Sequence, residues 1–323
     1  MRVAENLNAA LHRALAEDPD LHLLGEDVLD PYGGAFKITR GLSDRFPERV
    51  LSTPISENAI TGVAAGLALA GDSAIVEIMF GDFAALAFDQ LVNFAAKSVS
   101  MYGSRVPMRL VVRCPVGGGR GYGPTHSQSL QKHFVGVPGL ALYEVSPFHD
   151  NADVLAEMFA REEPCVLFED KVLYTRPMYE VAEPFRLDVH TPGVARVFLD
   201  ERPDCVVVAG GGVSHRVMAA MRSLLLEEEI VCTLLVPSRL YPVGIELPPG
   251  TRRVFVVEEG TAGGTWGAEV AHEIHRRHFA DLDGPVTLIH SADSVIPTAP
   301  HLEAAVLVGA DDVHRVIRET LRG

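Results

Sequence analysis

The sequence lacks the long apolar segments and the cysteine patterns that mark membrane and secreted proteins. Its longest apolar runs, such as residues 59–70, fall short of the ~20 residues that a membrane span needs. The N-terminus starts with an amphipathic pattern and has no contiguous apolar segment of a secretory signal. The 4 cysteines form no CxxC pair, and no histidine lies at metal-ligand spacing from them. We therefore predict a cytoplasmic protein with reduced cysteines, no membrane contact and no metal site of its own.

Positive charge is also scarce, because 28 Lys and Arg residues stand against 43 Asp and Glu, for a net charge of -15 at pH 7. The basic residues are scattered along the chain, which argues against nucleic acid or an anionic membrane as a partner. An acidic cytoplasmic enzyme fits this composition better. The 323 residues are enough for two cores, since single domains centre on roughly 100–200 residues.

Short β-branched runs alternate with helical patterns along the chain, which is typical of parallel βαβ units. We predict an α/β fold with two doubly wound domains, the second smaller than the first. The pattern predicts strands at 22–24, 74–78, 108–113, 141–145, 165–168, 205–209, 231–236, 254–257 and 286–290. It predicts helices at 3–15, 58–70, 83–101, 151–161, 213–227, 264–276 and 311–321. A proline-punctuated stretch of weak periodicity predicts a linker at 186–203 between domains 1–185 and 204–323.

The predicted helix at 83–101 is apolar on nearly all sides in its first four turns. A helix of this kind is buried all round, and in a globular protein it belongs either in a domain centre or at a subunit interface. It is the first indication of an obligate partner.

A carboxylate stands where a β-rich run at 49–51 turns into the small-residue helix that follows. Glu57 at this turn is predicted to be rigidly held and half-desolvated, which suits a group that shares a proton with a cofactor nitrogen. The ordinary alternative is an acidic first-turn residue that the helix dipole stabilises.

A glycine-rich loop at 117–129 delivers one histidine and several hydroxyl groups to one place. His126 is a candidate to protonate or orient a substrate carbonyl or carboxylate, although a lone histidine is more often structural. The loop has neither the GxxxxGK[ST] spacing of a phosphate loop nor the GxGxxG spacing of a dinucleotide site. Glycines 210–212 also have the wrong context for NAD.

Taken in order, several segments resemble the beta subunit of thiamine-diphosphate-dependent 2-oxo acid dehydrogenases: TPISE at 53–57, EIMFGDF at 77–83, GPTHSQS at 123–129 and VEEG at 257–260. The resemblance covers essentially the whole chain. It implies an N-terminal transketolase-type pyrimidine-binding domain and a smaller C-terminal transketolase-type domain.

The resemblance also implies roles for individual residues. Glu57 corresponds to the glutamate that hydrogen-bonds the pyrimidine of thiamine diphosphate, and Phe83 to the aromatic residue that packs against it. Met79 holds a cofactor-lining position that is often glutamine. His126, with Ser127 and Gln128, corresponds to the loop that faces the substrate and the incoming acceptor.

The half-site that binds the cofactor's diphosphate has no counterpart in this chain. Family members hold Mg²⁺ on the diphosphate with a GDG segment and a later asparagine, and no segment here fits. The resemblance therefore implies an alpha subunit that carries the diphosphate and Mg²⁺, in an α2β2 assembly. The implied reaction is oxidative decarboxylation of a 2-oxo acid, of the acetyl-transferring pyruvate dehydrogenase type, active only with that subunit, with transfer of the acyl unit to a lipoyl or other carrier thiol.

Two alternatives remain open at this point. A transketolase-like enzyme that takes a two-carbon unit from a ketose phosphate has the same half-site, and Arg113, Arg120 and His126 are candidate phosphate ligands. The chain is alternatively a structural subunit without a catalytic role.

Overall fold

The computed structural model describes residues 1–189 and 193–323, and its strands form two sheets. The strands are β1 (Leu21–Gly25), β2 (Val50–Ser52), β3 (Ser73–Glu77), β4 (Leu110–Val116), β5 (Ala141–Glu144), β6 (Cys165–Asp170), β7 (Arg186–Val189), β8 (Val194–Phe198), β9 (Cys205–Ala209), β10 (Cys232–Pro237), β11 (Arg239–Tyr241), β12 (Val254–Thr261) and β13 (Thr287–Ser291). The first sheet has the order β11-β5-β6-β4-β3-β1-β2 and the second the order β13-β12-β9-β10-β8-β7. All pairs are parallel except β11 with β5, β10 with β8 and β7 with β8.

The α-helices are α1 (Val3–Glu17), α2 (Leu42–Arg45), α3 (Glu57–Ala70), α4 (Ala96–Ser98), α5 (Asn151–Ala160), α6 (Ser214–Glu228), α7 (Trp266–His278), α8 (Pro300–Val306) and α9 (Ala310–Arg322). Short 3₁₀ turns lie at Gly81–Ala85, Gln131–His133, Leu173–Thr175, Gly211–Val213 and Phe279–Asp281, and a π-helix lies at Gln90–Ala95.

Both sheets are covered on both faces, because successive strand residues enter different cores. In β3, Ile75 packs in the core with α1 and α5, whereas Val76 packs in the core with α3. In β9, Val207 packs with α6 and α9, and Val208 with α7. Side chains of a strand alternate between faces, so this pattern requires helices on each side. The predicted α/β fold with two doubly wound domains is confirmed.

The single helix predicted at 83–101 is wrong. The chain there forms a 3₁₀ turn, a π-helix and the short helix α4 in succession. A π-helix absorbs an extra residue within a helical run, and hydrophobic periodicity does not reveal that insertion. Nor is the segment buried all round in this chain, since Leu86 is 56% exposed and Phe88 37% exposed.

The segment predicted as the linker, 186–203, contains β7 and β8. These strands pair with each other, and β8 also pairs with β10, so the segment belongs to the second sheet. Ala195 and Val197 are fully buried on one face of β8, an alternation of the kind that marks a strand and that the prolines obscured. Residues 190–192 lie outside the described part of the chain, and the outer domain limits, 1–185 and 204–323, stay a prediction.

A fully buried ion network links β3, β4 and β6. The Arg113 guanidinium donates to Glu77 Oε2 at 2.7 Å and to both Glu169 oxygens at 2.6 and 2.9 Å. The Tyr174 hydroxyl donates to Glu169 Oε2 at 2.6 Å. One cation thus compensates two carboxylates that no water reaches, which places polar groups in register across three neighbouring strands.

None of the helices in the described residues is long and apolar enough to cross a bilayer. Within residues 1–189 and 193–323, no cluster of three or more His, Cys, Asp or Glu side chains is arranged to hold a metal ion.

Candidate active site

The candidate residues lie at one edge of the first sheet. Because β1, β2, β3 and β4 run parallel, their carboxyl ends meet at the same edge. The residues that follow these ends are Glu26 after β1, Glu57 after β2, residues 79–83 after β3 and the glycine-rich loop 117–129 after β4. The carboxyl edge of a parallel sheet is the usual place for a ligand in doubly wound folds.

Two buried carboxylates form the first part of the site. Glu57 opens α3 and is 5% exposed, and Glu26 is also 5% exposed. No donor among the described residues is hydrogen-bonded to the Glu57 carboxylate, and Glu26 Oε1 is buried without a partner. Burial, followed by repulsion from Glu57, raises the pKa of Glu26, while the Ser56 backbone N–H opposes that shift. The Glu57 carboxylate is therefore free to accept a hydrogen bond from a nitrogen ligand.

His126 forms the second part, held among aromatic rings. Its imidazole meets the Phe80 ring edge-on at a centroid distance of 4.7 Å and the Phe83 ring at 5.2 Å. Phe80 in turn meets Tyr122 and Phe36 at 5.9 and 5.7 Å. An imidazole in this setting has few rotamers available, so it presents one edge in a fixed direction.

The remaining loop residues are tied to the turn after β3. Asp82 Oδ1 accepts from the Gln128 backbone N–H at 3.1 Å and from Gln128 Nε2 at 2.8 Å. Ser127 is fully buried, and its Oγ has no hydrogen-bond partner in the described chain. Met79 is half-buried at the end of β3. Asn58 Nδ2 donates to the Leu86 carbonyl oxygen at 3.3 Å, which ties the start of α3 to the turn that carries Phe83.

A buried lysine lies behind the aromatic group. The side chain of Lys171 is fully buried, its Nζ is 5.9 Å from the centre of the Phe80 ring, and no described residue accepts a hydrogen bond from it. Burial lowers the pKa of Lys171, although Asp170 and Asp82 favour its charged form. Asp82 Oδ2 is likewise buried and unpartnered. The loop therefore packs against buried charged groups, Lys171 and Asp82.

Comparison with known proteins identifies the architecture. Residues 1–177 match the family model of the transketolase pyrimidine-binding domain, and residues 195–313 match that of the transketolase C-terminal domain. A pyruvate dehydrogenase E1 component subunit beta-2 from Oryza sativa subsp. japonica is 32% identical, covering 98% of this chain and 85% of the relative. The chain belongs to the E1 beta-subunit family.

A second relative agrees with this assignment, and a solved structure shows the fold alone. The beta subunit of an acetoin:2,6-dichlorophenolindophenol oxidoreductase from Cupriavidus necator is 29% identical over 98% of the chain and 96% of the relative. A split-gene transketolase, solved as an inactive beta4 tetramer, superposes with a TM-score of 0.74 at 20% identity over 99% of this chain and 98% of that one. The transketolase likeness establishes the fold of the E1 beta-type chain.

The E1 beta-type fold brings the predicted site residues into two groups. Glu57 lies with Glu26, whereas Phe83, His126 and Gln128 lie together around the turn after β3. Glu26 and Asp82 were not predicted as site residues. Glu26 follows β1 directly and Asp82 lies in the turn after β3, and this placement was a usable signal, since the carboxyl ends of parallel strands converge.

Proposed function

We propose that this chain is the beta subunit of a thiamine-diphosphate-dependent 2-oxo acid dehydrogenase-type enzyme. The observation that carries the proposal is the buried Glu57 carboxylate, which opens a helix at the carboxyl edge of the first sheet and has no hydrogen-bond donor in the described chain. The named relatives, at about 30% identity over nearly the full length, favour this function over the transketolase alternative.

The residues present fit the pyrimidine half of thiamine diphosphate. The free carboxylate of Glu57 is an acceptor for a ring nitrogen, and Phe83 supplies a flat apolar surface, with Met79 beside it. When bound, thiamine diphosphate supplies a nucleophilic carbon and an electron sink for decarboxylation. Glu57 would accept a hydrogen bond from the bound ring, and Glu26, whose pKa burial raises, lies beside it.

In this proposal, His126 binds and orients the substrate. The aromatic group fixes the direction of its imidazole, which can donate a hydrogen bond to a carbonyl or carboxylate oxygen or transfer a proton to it. Gln128 holds the loop through its hydrogen bonds to Asp82, and the unpartnered hydroxyl of Ser127 is available to the substrate or acceptor. The acceptor in this proposal is a lipoyl group or another carrier thiol that enters past the same loop.

A second subunit completes the site in this proposal. The sequence has no GDG segment with a later asparagine for a diphosphate-bound Mg²⁺, and the relatives are named as beta subunits, so in this proposal an alpha subunit supplies that half, in an α2β2 assembly. Exposed apolar side chains near Glu57 support a covering partner, because Ile55 is 79%, Val63 57% and Leu86 56% exposed. The acetyl-transferring type and the cytoplasmic location are parts of the same proposal; the name of the rice relative places that protein in mitochondria.

The test is CO₂ release by the chain co-expressed with its alpha-type partner, given thiamine diphosphate, Mg²⁺ and an artificial electron acceptor. The substrate panel runs from pyruvate through branched 2-oxo acids to ketose phosphates. We expect CO₂ release from a 2-oxo acid, its loss in Glu57→Gln with the assembly intact, and its retention in the matched control Glu48→Gln on an exposed turn.

Two results would overturn the proposal. Consumption of a ketose phosphate without CO₂ release from any 2-oxo acid would select the transketolase alternative. Full activity after substitution of both Glu57 and His126 would make the chain a structural subunit.

A further inference from the structure

The glycine-rich loop has an unusual backbone in which every second residue is left-handed. Gly117, Gly119, Gly121 and Gly123 have φ values of +89°, +80°, +69° and +77°. Alternating right-handed and left-handed residues turn successive backbone N–H groups toward one concave side, which forms an anion-binding nest. The loop therefore has the backbone of an anion site although it lacks the sequence of a phosphate loop.

A carboxylate of the protein itself, that of Glu303, occupies this nest. Glu303 Oε1 accepts the Gly119 N–H at 2.9 Å, and Glu303 Oε2 accepts the Gly121 N–H at 3.1 Å. The two oxygens of one carboxylate thus bind the amides of residues i and i+2, the geometry in which a nest holds a free anion. Glu303 is 4% exposed and lies on α8 of the second domain.

The second domain also approaches the loop closely on either side of this contact. A Cβ at Gly123 would lie 2.6 Å from Thr298 Oγ1, and one at Gly118 would lie 2.5 Å from Leu307 Cδ1. A side chain at either position would have to displace Thr298 or Leu307, and Gly123 also has the positive φ that favours glycine. The segment that carries Glu303 therefore packs closely against the loop at these positions.

A second carboxylate anchors the two ends of the loop. Glu259 Oε1 accepts the Gly118 N–H at 2.7 Å and the Ser129 hydroxyl at 3.0 Å. Arg216 lies 2.7 Å from the other oxygen of Glu259. Glu259 is thus part of an ion pair of the second domain, whereas in the described part of the chain the Glu303 carboxylate accepts hydrogen bonds from the loop alone.

The held loop is the one that carries His126. It leaves the nest after Gly123, presents His126 to the aromatic group, and is fixed again where Gln128 meets Asp82. We propose that Glu303 is a positioning residue: an internal anion from the second domain that fills the loop's nest and thereby sets the place of His126. The catalytic consequence rests on the proposed function, whereas the ordering of the loop does not.

The first test is hydrogen exchange of the full chain in complex with its partner subunit, read by mass spectrometry. Gly119 is exposed to solvent, yet its amide should be protected because Glu303 accepts it. Glu303→Gln should speed exchange in residues 117–123 about 10- to 100-fold, since the charged acceptor is lost and the glutamine NH2 is placed opposite one of the two loop N–H groups. Exchange in β3, β4 and β6 should stay unchanged.

The second test is activity with chemical rescue. Glu303→Ala should lower kcat/KM about 10- to 100-fold, because displacement of a catalytic group by ~1 Å is enough for such a loss. Added formate, a free carboxylate, should enter the vacated nest and restore both activity and amide protection. The matched control is His301→Ala, an exposed residue of the same helix, which should keep wild-type activity and show no response to formate.

Each outcome decides the matter. Slow exchange of the loop in Glu303→Gln, or a loss of activity in Glu303→Ala that formate leaves unchanged, would overturn the proposal. If Glu303→Gln does not fold, Glu303→Asp replaces it, because this variant keeps the charge but shortens the side chain by one methylene, and its loop amides should exchange at an intermediate rate. Fast exchange of the Gly119 amide in the wild-type protein would refute the contact outright. If the wild-type complex decarboxylates no 2-oxo acid, the proposed function fails, and the exchange data still decide the role of Glu303.

Discussion

Replacing Arg113 by methionine tests whether the buried ion network stabilises the first sheet through charge. The variant Arg113→Met keeps an unbranched side chain of similar reach but leaves Glu77 and Glu169 buried without a cation. Removing one partner of a buried ion pair destabilises by about 3–5 kcal/mol, because the remaining charge stays in a low-dielectric interior. Since the free energy of unfolding of a protein is about 5–15 kcal/mol, the loss is about a fifth of the stability or more.

The pH dependence separates this explanation from a packing defect. Burial already raises the pKa of Glu77 above 4.5, and the nearby Arg113 opposes that shift. Without Arg113 the folded-state pKa rises further. A carboxyl group with a raised folded-state pKa is most favourable below its unfolded pKa and loses that stability as the pH rises through the folded value. The deficit of Arg113→Met should therefore be largest at pH 8 and shrink toward pH 5.

The measurement is urea unfolding followed by circular dichroism at both pH values, with the slope checked for constancy. The control, Arg109→Met, removes a half-exposed partner of Asp18 and should lose no more than ~1 kcal/mol. The double variant Arg113→Met with Glu77→Gln should recover part of the stability. A loss that is the same at pH 8 and pH 5 would refute the charge argument.

Three further predictions follow from other contacts. Burial raises the pKa of Glu144 to about 7. The contribution of this carboxyl group to stability is therefore fully present below pH 4.5 and is lost as the pH rises through about 7, and Glu144→Gln should make the urea midpoint less dependent on pH across that range. Asp82→Ala removes both hydrogen bonds to Gln128 and should lower kcat/KM about tenfold while leaving the partner subunit bound. An unchanged kcat/KM would show that Asp82 does not position the loop. All 4 cysteines are buried, so a thiol reagent should label none of them before denaturation and all afterwards; labelling of the native protein would contradict their burial.

The sequence predicted the framework well because its elements are locally encoded. Every predicted strand overlaps an observed one, and the helix predicted at 58–70 differs from α3 only by Glu57 at its start. The two errors have local causes: a π-helix that hydrophobic periodicity does not register, and prolines that obscured β7 and β8. The π-helix departs from regular helical geometry, whereas β7 and β8 are regular strands that the neighbouring prolines concealed.

Only part of the candidate site could be predicted from the sequence. The loop residues His126, Ser127 and Gln128 stand in one cluster and resemble a known family, so a reading along the chain finds them. Glu303 lies 184 residues from its partner Gly119, and no spacing rule links them. Contacts between domains of this kind depend on tertiary placement, which a single sequence does not encode as a pattern.

Strand β11 has a consequence for how the protein is made. It follows most of the strands of the second sheet in the chain, yet it pairs with β5 of the first sheet, where the Glu144 N–H donates to the Ser238 carbonyl oxygen at 3.0 Å. At 5–20 residues per second, the ribosome delivers Tyr241 roughly 4–14 s after β6. During that interval β5 is an open sheet edge, the kind of surface on which nascent chains associate wrongly. The two domains are thus linked in biosynthesis, and the first is complete only when the second has begun to fold.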